Sequence, residues 1–359
     1  MVLTETEYAV LALEWMEKLA LSALEYLEFG MANIVPMVTD RLSCSPNVLQ
    51  TLLSNPSRCL CARGFEFSQA WEPRPSILTG LLDLRISECR GLRLADLADI
   101  VSCTPLLKTL TLRDYKFRDG LHWRDDVKRN TMVHLPELTK VEMQWIWPPV
   151  SILSPHSPIS TPGLKHVTAA FLPDYNLDFP QSWLTDLSAA NPQLSSLDVT
   201  NNVVSLNTWT TALQNWRSMS LLRINSCEIE DQILQILSPS HAGSDMVLPN
   251  LQQLTFDNEL KLSSSTMKAI VCGRHFHGQA EGADGVEGHG VTLQEVTLGG
   301  WDATRVDESD VNAIKNCVEK FYLGVFRSGM SDVFDEGSES DGQSISDQSS
   351  KNELDEEEM

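Results

Sequence analysis

Apolar residues recur along this chain in one short spacing. An apolar position is followed by two variable ones, a second apolar, one variable, a third apolar, two variable, and then a residue that tolerates burial. Leu81-x-x-Leu84-x-Ile86 ends in this way at Cys89, Leu194-x-x-Leu197-x-Val199 at Asn202, and Met219-x-x-Leu222-x-Ile224 at Cys227. Leu107-x-x-Leu110-x-Leu112 ends at Tyr115, Leu138-x-x-Val141-x-Met143 at Ile146, and Leu293-x-x-Val296-x-Leu298 at Trp301. Leu251-x-x-Leu254-x-Phe256 ends at Glu259, and the most degenerate unit, Leu164-x-x-Val167-x-Ala169, at Leu172. The alternation around the second and third apolar positions predicts a short strand with one buried face. Five units carry a proline two or three residues before the first apolar position: Pro105, Pro136, Pro162, Pro192 and Pro249. There proline fixes the lead-in and stays out of the strand centre. One match would be weak, but eight in order establish a repeat.

Between the units the period changes. Leu94, Leu97, Ala98 and Val101 fall at helical spacing, as do Trp183, Leu184, Leu187 and Ser188. Trp209, Leu213 and Trp216 do the same, and so do Ile229, Ile233, Ile236 and Leu237. Strand then helix, repeated, predicts an α/β solenoid: a horseshoe with parallel strands on its concave face and helices on its convex face. About eight or nine irregular units are expected. Their first positions are 26, 31, 26, 30, 25, 32 and 42 residues apart, beyond the ~20–29 residues usual for such a repeat.

This pattern resembles the long, helix-containing leucine-rich-repeat proteins of the ribonuclease-inhibitor-like and F-box types. Its irregular spacing is most similar to the F-box-associated repeats common in fungi. The resemblance covers roughly residues 46 to 323. Within it, Val48 to Pro56 running on to Phe65-Glu66-Phe67 looks like the helix-then-strand unit that often follows an F-box. The resemblance implies a protein-binding horseshoe, and by extension substrate recognition in an F-box-type ubiquitin ligase.

Residues 1–45 do not show the Leu-Pro-type motif that opens an F-box. Instead Tyr8 to Phe29 reads as one helix, with Leu13, Met16, Ala20, Leu24 and Leu27 along one face and Trp15, Leu19 and Tyr26 beside it. It is expected to cap the open end of the solenoid, or to dock a partner. Loss of an F-box by truncation is a third reading. The expected organisation is thus a helical segment at 1–45, a repeat domain at 46–323 with a flexible insertion at about 275–290, and an acidic tail at 324–359.

In such a repeat the variable positions within each strand face the concave side. The column between the second and third apolar positions reads Arg85, Thr111, Glu142, Thr168, Asp198, Arg223, Thr255, Thr297. The column after the third reads Ser87, Arg113, Gln144, Ala170, Thr200, Asn225, Asp257, Gly299. Arg85, Arg113, Glu142, Asp198, Arg223 and Asp257, together with Trp145, are the candidate partner-binding residues, since arginine and tryptophan anchor many interfaces. Trp145-Ile146-Trp147-Pro148-Pro149 forms a rigid apolar loop, either a recognition edge or a plug for the long stretch up to Thr161.

Catalytic signatures are missing: there is no phosphate-binding glycine loop, nucleophile elbow or His-Glu-x-x-His. No enzymatic activity and no cofactor are expected. Cys272-x-x-His275-x-His277 with His289 lacks the second ligand pair of a closed zinc shell, and no metal is expected. Cys59-x-Cys61 does not have the spacing of a redox motif. The eight cysteines, spread over 359 residues, read as reduced thiols of an intracellular protein. The acidic N-terminus lacks the positive charge of a secretory signal, so cytoplasmic or nuclear residence is expected.

The formal charge of −22 argues against broad contact with nucleic-acid phosphates or an anionic membrane. Residues 331–359 hold eleven acidic side chains and one lysine, a balance of −10, which leaves −12 for the rest. That segment is expected to be disordered, because it has too few large apolar residues to offset its ordering entropy. Ser338, Ser344 and Ser350 each precede an acidic residue by three positions (Asp341, Asp347, Glu353), a spacing suited to acid-directed phosphorylation.

Overall fold

The computed structural model describes residues 26–30, 59–63, 80–87, 94–113, 132–144, 152–153, 157–171, 182–227, 229–239, 246–258, 262–281, 292–302 and 306–326. The chain divides after Phe326, and everything described belongs to its first unit.

Each of the eight predicted strands forms, five residues or longer, around its second and third apolar positions. They are β3 (Asp83–Ser87), β4 (Thr109–Arg113), β6 (Lys140–Gln144), β8 (His166–Ala170), β9 (Ser196–Thr200), β10 (Leu221–Asn225), β11 (Gln253–Asp257) and β12 (Glu295–Asp302). Three more strands extend the sheet: β1 (Tyr26–Gly30) and β2 (Cys59–Arg63) at one edge, and β13 (Lys320–Phe326) at the other. All neighbours pair in parallel, in the order β1-β2-β3-β4-β6-β8-β9-β10-β11-β12-β13. The result is an α/β fold in which strands stack in sequence order. It has more strands than the eight or nine units expected.

The register repeats as strictly as the motif. Leu84 pairs with Leu110, Val141 with Val167, Leu197 with Leu222 and Leu254 with Val296. The eight first-position residues, Leu81 through Leu293, are at most 3% exposed. Each repeat therefore buries three aligned apolar side chains, and each one larger than alanine contributes about 1.5–3 kcal/mol from burial before the opposing chain entropy is counted.

Before five of the strands (β4, β6, β8, β9 and β11) the chain makes a four-residue turn that hands it to the next layer. Leu107 N–H donates to Thr104 C=O, Leu138 to Leu135, Leu164 to Thr161, Leu194 to Asn191 and Leu251 to Leu248. The five prolines occupy the second position of these turns, where a φ near −65° is already the required one. Just after the turn, one carbonyl accepts two N–H groups of the following repeat. Lys165 C=O takes Ser195 and Ser196, and Ser195 C=O takes Ser220 and Leu221.

Helices fall where the spacing predicts: α1 (Leu94–Ser102), α2 (Trp183–Ala190), α3 (Leu206–Asn215) and α4 (Asp231–Gln235). Two others, α5 (Ser264–Glu281) and α6 (Glu308–Lys315), were not predicted. Around β6 and β8 the described connections instead hold a two-residue parallel pair, β5 (Val133–His134) with β7 (Ile159–Ser160). Buried helix residues such as Trp209, Leu213 and Ile270 join one core with the inward strand residues. No described helix is long and apolar enough to cross a membrane.

Two expectations change, and a third falls outside the described residues. Tyr26 to Phe29, the expected end of an N-terminal helix, lies in β1, whose residues pair along their length with β2; backbone pairing outweighs the helical spacing of Leu24 and Leu27. An extra strand forms at Cys59–Arg63, where Leu60 aligns with Leu84; the one expected at Phe65–Phe67 lies outside the described residues. Residues 275–281 of the flexible insertion expected at about 275–290 belong to α5, which continues to Glu281; the rest of that stretch lies outside the described residues.

Candidate functional site

Alternation leaves one sheet face buried in the core and the other polar. An all-parallel sheet usually carries helices on both faces, so a polar second face is the feature that needs explaining. Its central column runs Arg85, Thr111, Glu142, Thr168, Asp198, Arg223, Thr255, Thr297 in register from strand to strand. The adjoining column runs Ser87, Arg113, Gln144, Ala170, Thr200, Asn225, Asp257, Gly299.

Six of the predicted binding residues lie on this face, and four meet in pairs. Arg113 Nη2 donates to Glu142 Oε1 across β4 and β6. Glu142 also accepts from Gln144 Nε2 at 2.7 Å, with Lys140 Nζ 3.8 Å from its other oxygen. Arg223 Nη1 stands 3.7 Å from Asp198 Oδ2, its register partner. Arg85 turns instead to Asp83 on its own strand, at 2.7 Å. Asp257 stands apart, its carboxylate folded over Gly299, where a Cβ would collide with it. Trp145 lies outside the described residues, as do Ser338, Ser344 and Ser350.

The two ion-paired clusters are separated by a strip of small residues, Thr168, Ala170 and Thr200. Electrostatics still couple them. Burial raises the Asp198 carboxyl above its ordinary 3.8 despite the attraction of Arg223, and the charge of Glu142 pushes the same way. Beside the strip, burial lowers the His166 imidazole below 6.5, and Lys140 and Lys165 lower it further. On β2 burial, reinforced by the charge of Asp83, pushes the Cys59 thiol up to about 11. At neutral pH this edge presents a thiol, not a nucleophilic thiolate.

One residue was missed by the motif search. Tyr322, on the same face of β13 and in register with Thr297, is 54% exposed. Gly324, two residues on in β13, is exposed. Its signal was present as Val318-x-x-Phe321-x-Leu323, a ninth copy of the template whose first and second apolar positions are not leucine.

The chemistry available on this face is charge pairing, hydroxyl and amide hydrogen bonding, and one exposed aromatic ring. Among the described residues, no three His, Cys, Asp or Glu side chains gather as a metal site would require.

No protein-family model matches the chain, and no curated protein matches it. Among solved structures it is similar to the crystal structure of the TLR13–ssRNA13 complex, at 13% identity and a TM-score of 0.39. The likeness covers 79% of this chain and 42% of that one, so this chain spans less than half the length of the other. A likeness of that size carries no weight for the partner, and the fold stands on the strand order and register.

Proposed function

We propose that the protein is a non-catalytic leucine-rich-repeat binding module that holds a protein partner on the open face of its sheet, the concave face of a horseshoe. One observation carries this reading: within a parallel sheet of eleven strands, one face stays polar and uncovered by the described helices from β3 to β12. A surface of that extent, already ordered by the core beneath it, can be engaged without first paying for its own ordering.

A protein fits this face better than a nucleic acid. Arg85, Arg113 and Arg223 each sit against a carboxylate, so they do not form the unopposed positive stripe that phosphates require. The net charge of −22 favours the same choice. Mixed ion pairs suit a partner that brings charges of both signs. We place the protein in the cytoplasm or nucleus, where cysteines spread singly along a long chain stay reduced.

The resemblance to F-box-associated repeats extends the proposal to substrate recognition for a ubiquitin ligase. The other form of the reading is a stand-alone scaffold. Pull-down of the ligase's adaptor subunit with the full chain separates them: recovery supports the ligase role, and failure leaves the scaffold.

The binding face is tested by placing a photo-cross-linking amino acid at Thr168, Thr200 or Thr255, and at the exposed helix positions Gln214 and Lys315. The same partner should be captured from cell extract by the three sheet positions and not by the two helix positions. Capture from the helix positions alone would reject the proposal.

A further inference from the structure

Two cysteines that play no part in the sheet surface meet at its C-terminal end. Cys272 lies in α5, and Cys317 lies in the turn between α6 and β13. Their sulfurs are 3.1 Å apart, with the Cys317 thiol directed at Cys272 Sγ. Cys272 is oriented in turn by Ala313 C=O, 3.7 Å from its sulfur. Both thiols are free and partly exposed, unlike Cys103 and Cys227, which are buried.

The elements that carry the pair are already fixed against each other. Ser264 Oγ donates to Asp310 Oδ2 at 3.0 Å, Lys268 Nζ to Asp310 Oδ1 at 2.8 Å, and Asp307 N–H to Ser264 Oγ at 3.0 Å. A sulfur–sulfur bond is about 2.05 Å long, so the two sulfurs need to approach by only about 1 Å. The shared hydrogen-bonding network of α5 and α6 holds them in place for it.

We propose that Cys272 and Cys317 are a thiol–disulfide pair, closed by exchange with a low-molecular-weight disulfide and reopened by the corresponding thiol. In the first step the thiolate of one cysteine attacks a reagent sulfur. The reagent S–S bond breaks, its other half leaves as a thiolate that takes up a proton, and a mixed disulfide remains. In the second step the other cysteine, deprotonated, attacks the protein-side sulfur and expels the second reagent thiol. The two cysteines lose two protons and two electrons, and the reagent disulfide is reduced to two thiols. Burial, with the hydrogen bond from Cys317, pushes the Cys272 thiol up to about 12. Thiolate is therefore scarce at neutral pH, and closure should speed up as pH rises.

The consequence is local. The bond would tie the lead-in of β13, an edge strand, to α5 across 45 positions of chain. Terminal repeats open most readily in stacked arrays, and a cross-link removes conformations from the opened state. β13 also carries Tyr322, so oxidation would hold the end of the open face in its folded position. The inference does not depend on what that face binds.

The test uses the full chain incubated with oxidised glutathione, quenched by alkylation and mapped by mass spectrometry without reduction. The expected product is a Cys272–Cys317 linked peptide that disappears on treatment with dithiothreitol. In C272S and in C317S the remaining cysteine should instead carry glutathione. Wild-type protein in which the two are alkylated, or separately glutathionylated, would overturn the proposal, as would cross-links to other cysteines in their place. Amide exchange across residues 308–326 gives an independent readout. It should slow about tenfold or more on oxidation and stay unchanged in C272S/C317S. Equal exchange in the oxidised and reduced wild type would refute the stapling of β13.

Discussion

At the scale of single residues, the least legible feature is Arg274. In the sequence it is a charge in a weakly periodic segment, and such a charge reads as solvent-facing. In the fold it is 1% exposed and donates to three carbonyls: Leu237 at 2.9 Å, Leu248 at 3.0 Å and Val247. Burial lowers its pKa to about 10. Arg274→Ala leaves those acceptors unmet, and denaturant unfolding should register a loss of about 3 kcal/mol or more. Asp198 should behave in the opposite way. Its folded-state pKa lies above 3.8, so the unfolded chain gives up this proton first, and stability falls as pH rises from 3.8 through the folded value. Asp198→Asn should leave the unfolding midpoint unchanged or raise it at pH 7, with the difference from wild type shrinking toward pH 3.8. A variant that weakens binding while the fold keeps its stability is the signature of a residue retained for function.

At the scale of elements, the repeat was legible because one spacing dictates both the buried ladder and the strand register. What escaped was set by partners distant in sequence. Tyr26–Gly30 became a strand because β2 was there to pair with it, and α5 ran past 275 although four glycines follow Glu281 within the next nine residues. The sheet's trailing edge also has a backbone rule that the motif did not announce. Asn201, Ser226, Asn258 and Gly300, each the first residue after the five-residue repeat core of β9 to β12, have φ of 54°, 52°, 56° and 66°. Their N–H groups continue the ladder: Asn201 donates to Asn225 C=O, Ser226 to Asp257 C=O and Asn258 to Gly299 C=O. A β-branched residue strains this conformation, so Ser226→Val should destabilise by about 1–2 kcal/mol, while Ser226→Gly should be close to neutral in thermal unfolding. The lead-in turns are equally tight. A Cβ at Gly163 would strike Pro136 C=O of the preceding repeat, and Gly163→Ala should lower stability by about 1–3 kcal/mol.

At the scale of the whole molecule, the candidate binding residues were legible as a class. Strand alternation put Arg85, Arg113, Glu142, Asp198, Arg223 and Asp257 on one face, but their pairing was not readable. Arg113 reaches diagonally to Glu142, whereas Arg85 turns back to Asp83, and both choices depend on side-chain geometry that the spacing does not encode. The serines of the acidic tail make a separate prediction: mass spectrometry of the native protein should find phosphate on Ser338, Ser344 and Ser350, each adding about −1.5 to −2 charges. The central claim concerns the open face, and it is tested most directly by the affinity of the captured partner. Arg113→Glu and Arg223→Glu reverse charge on that face, and Gln214→Glu and Lys315→Glu change charge on the helices. The sheet variants should stay folded and bind about tenfold or more weakly, with unfolding midpoints lowered slightly because the new carboxylates face Glu142 and Asp198, while the helix variants bind like the wild type. Full affinity in the sheet variants, with loss in the helix variants, would contradict the account.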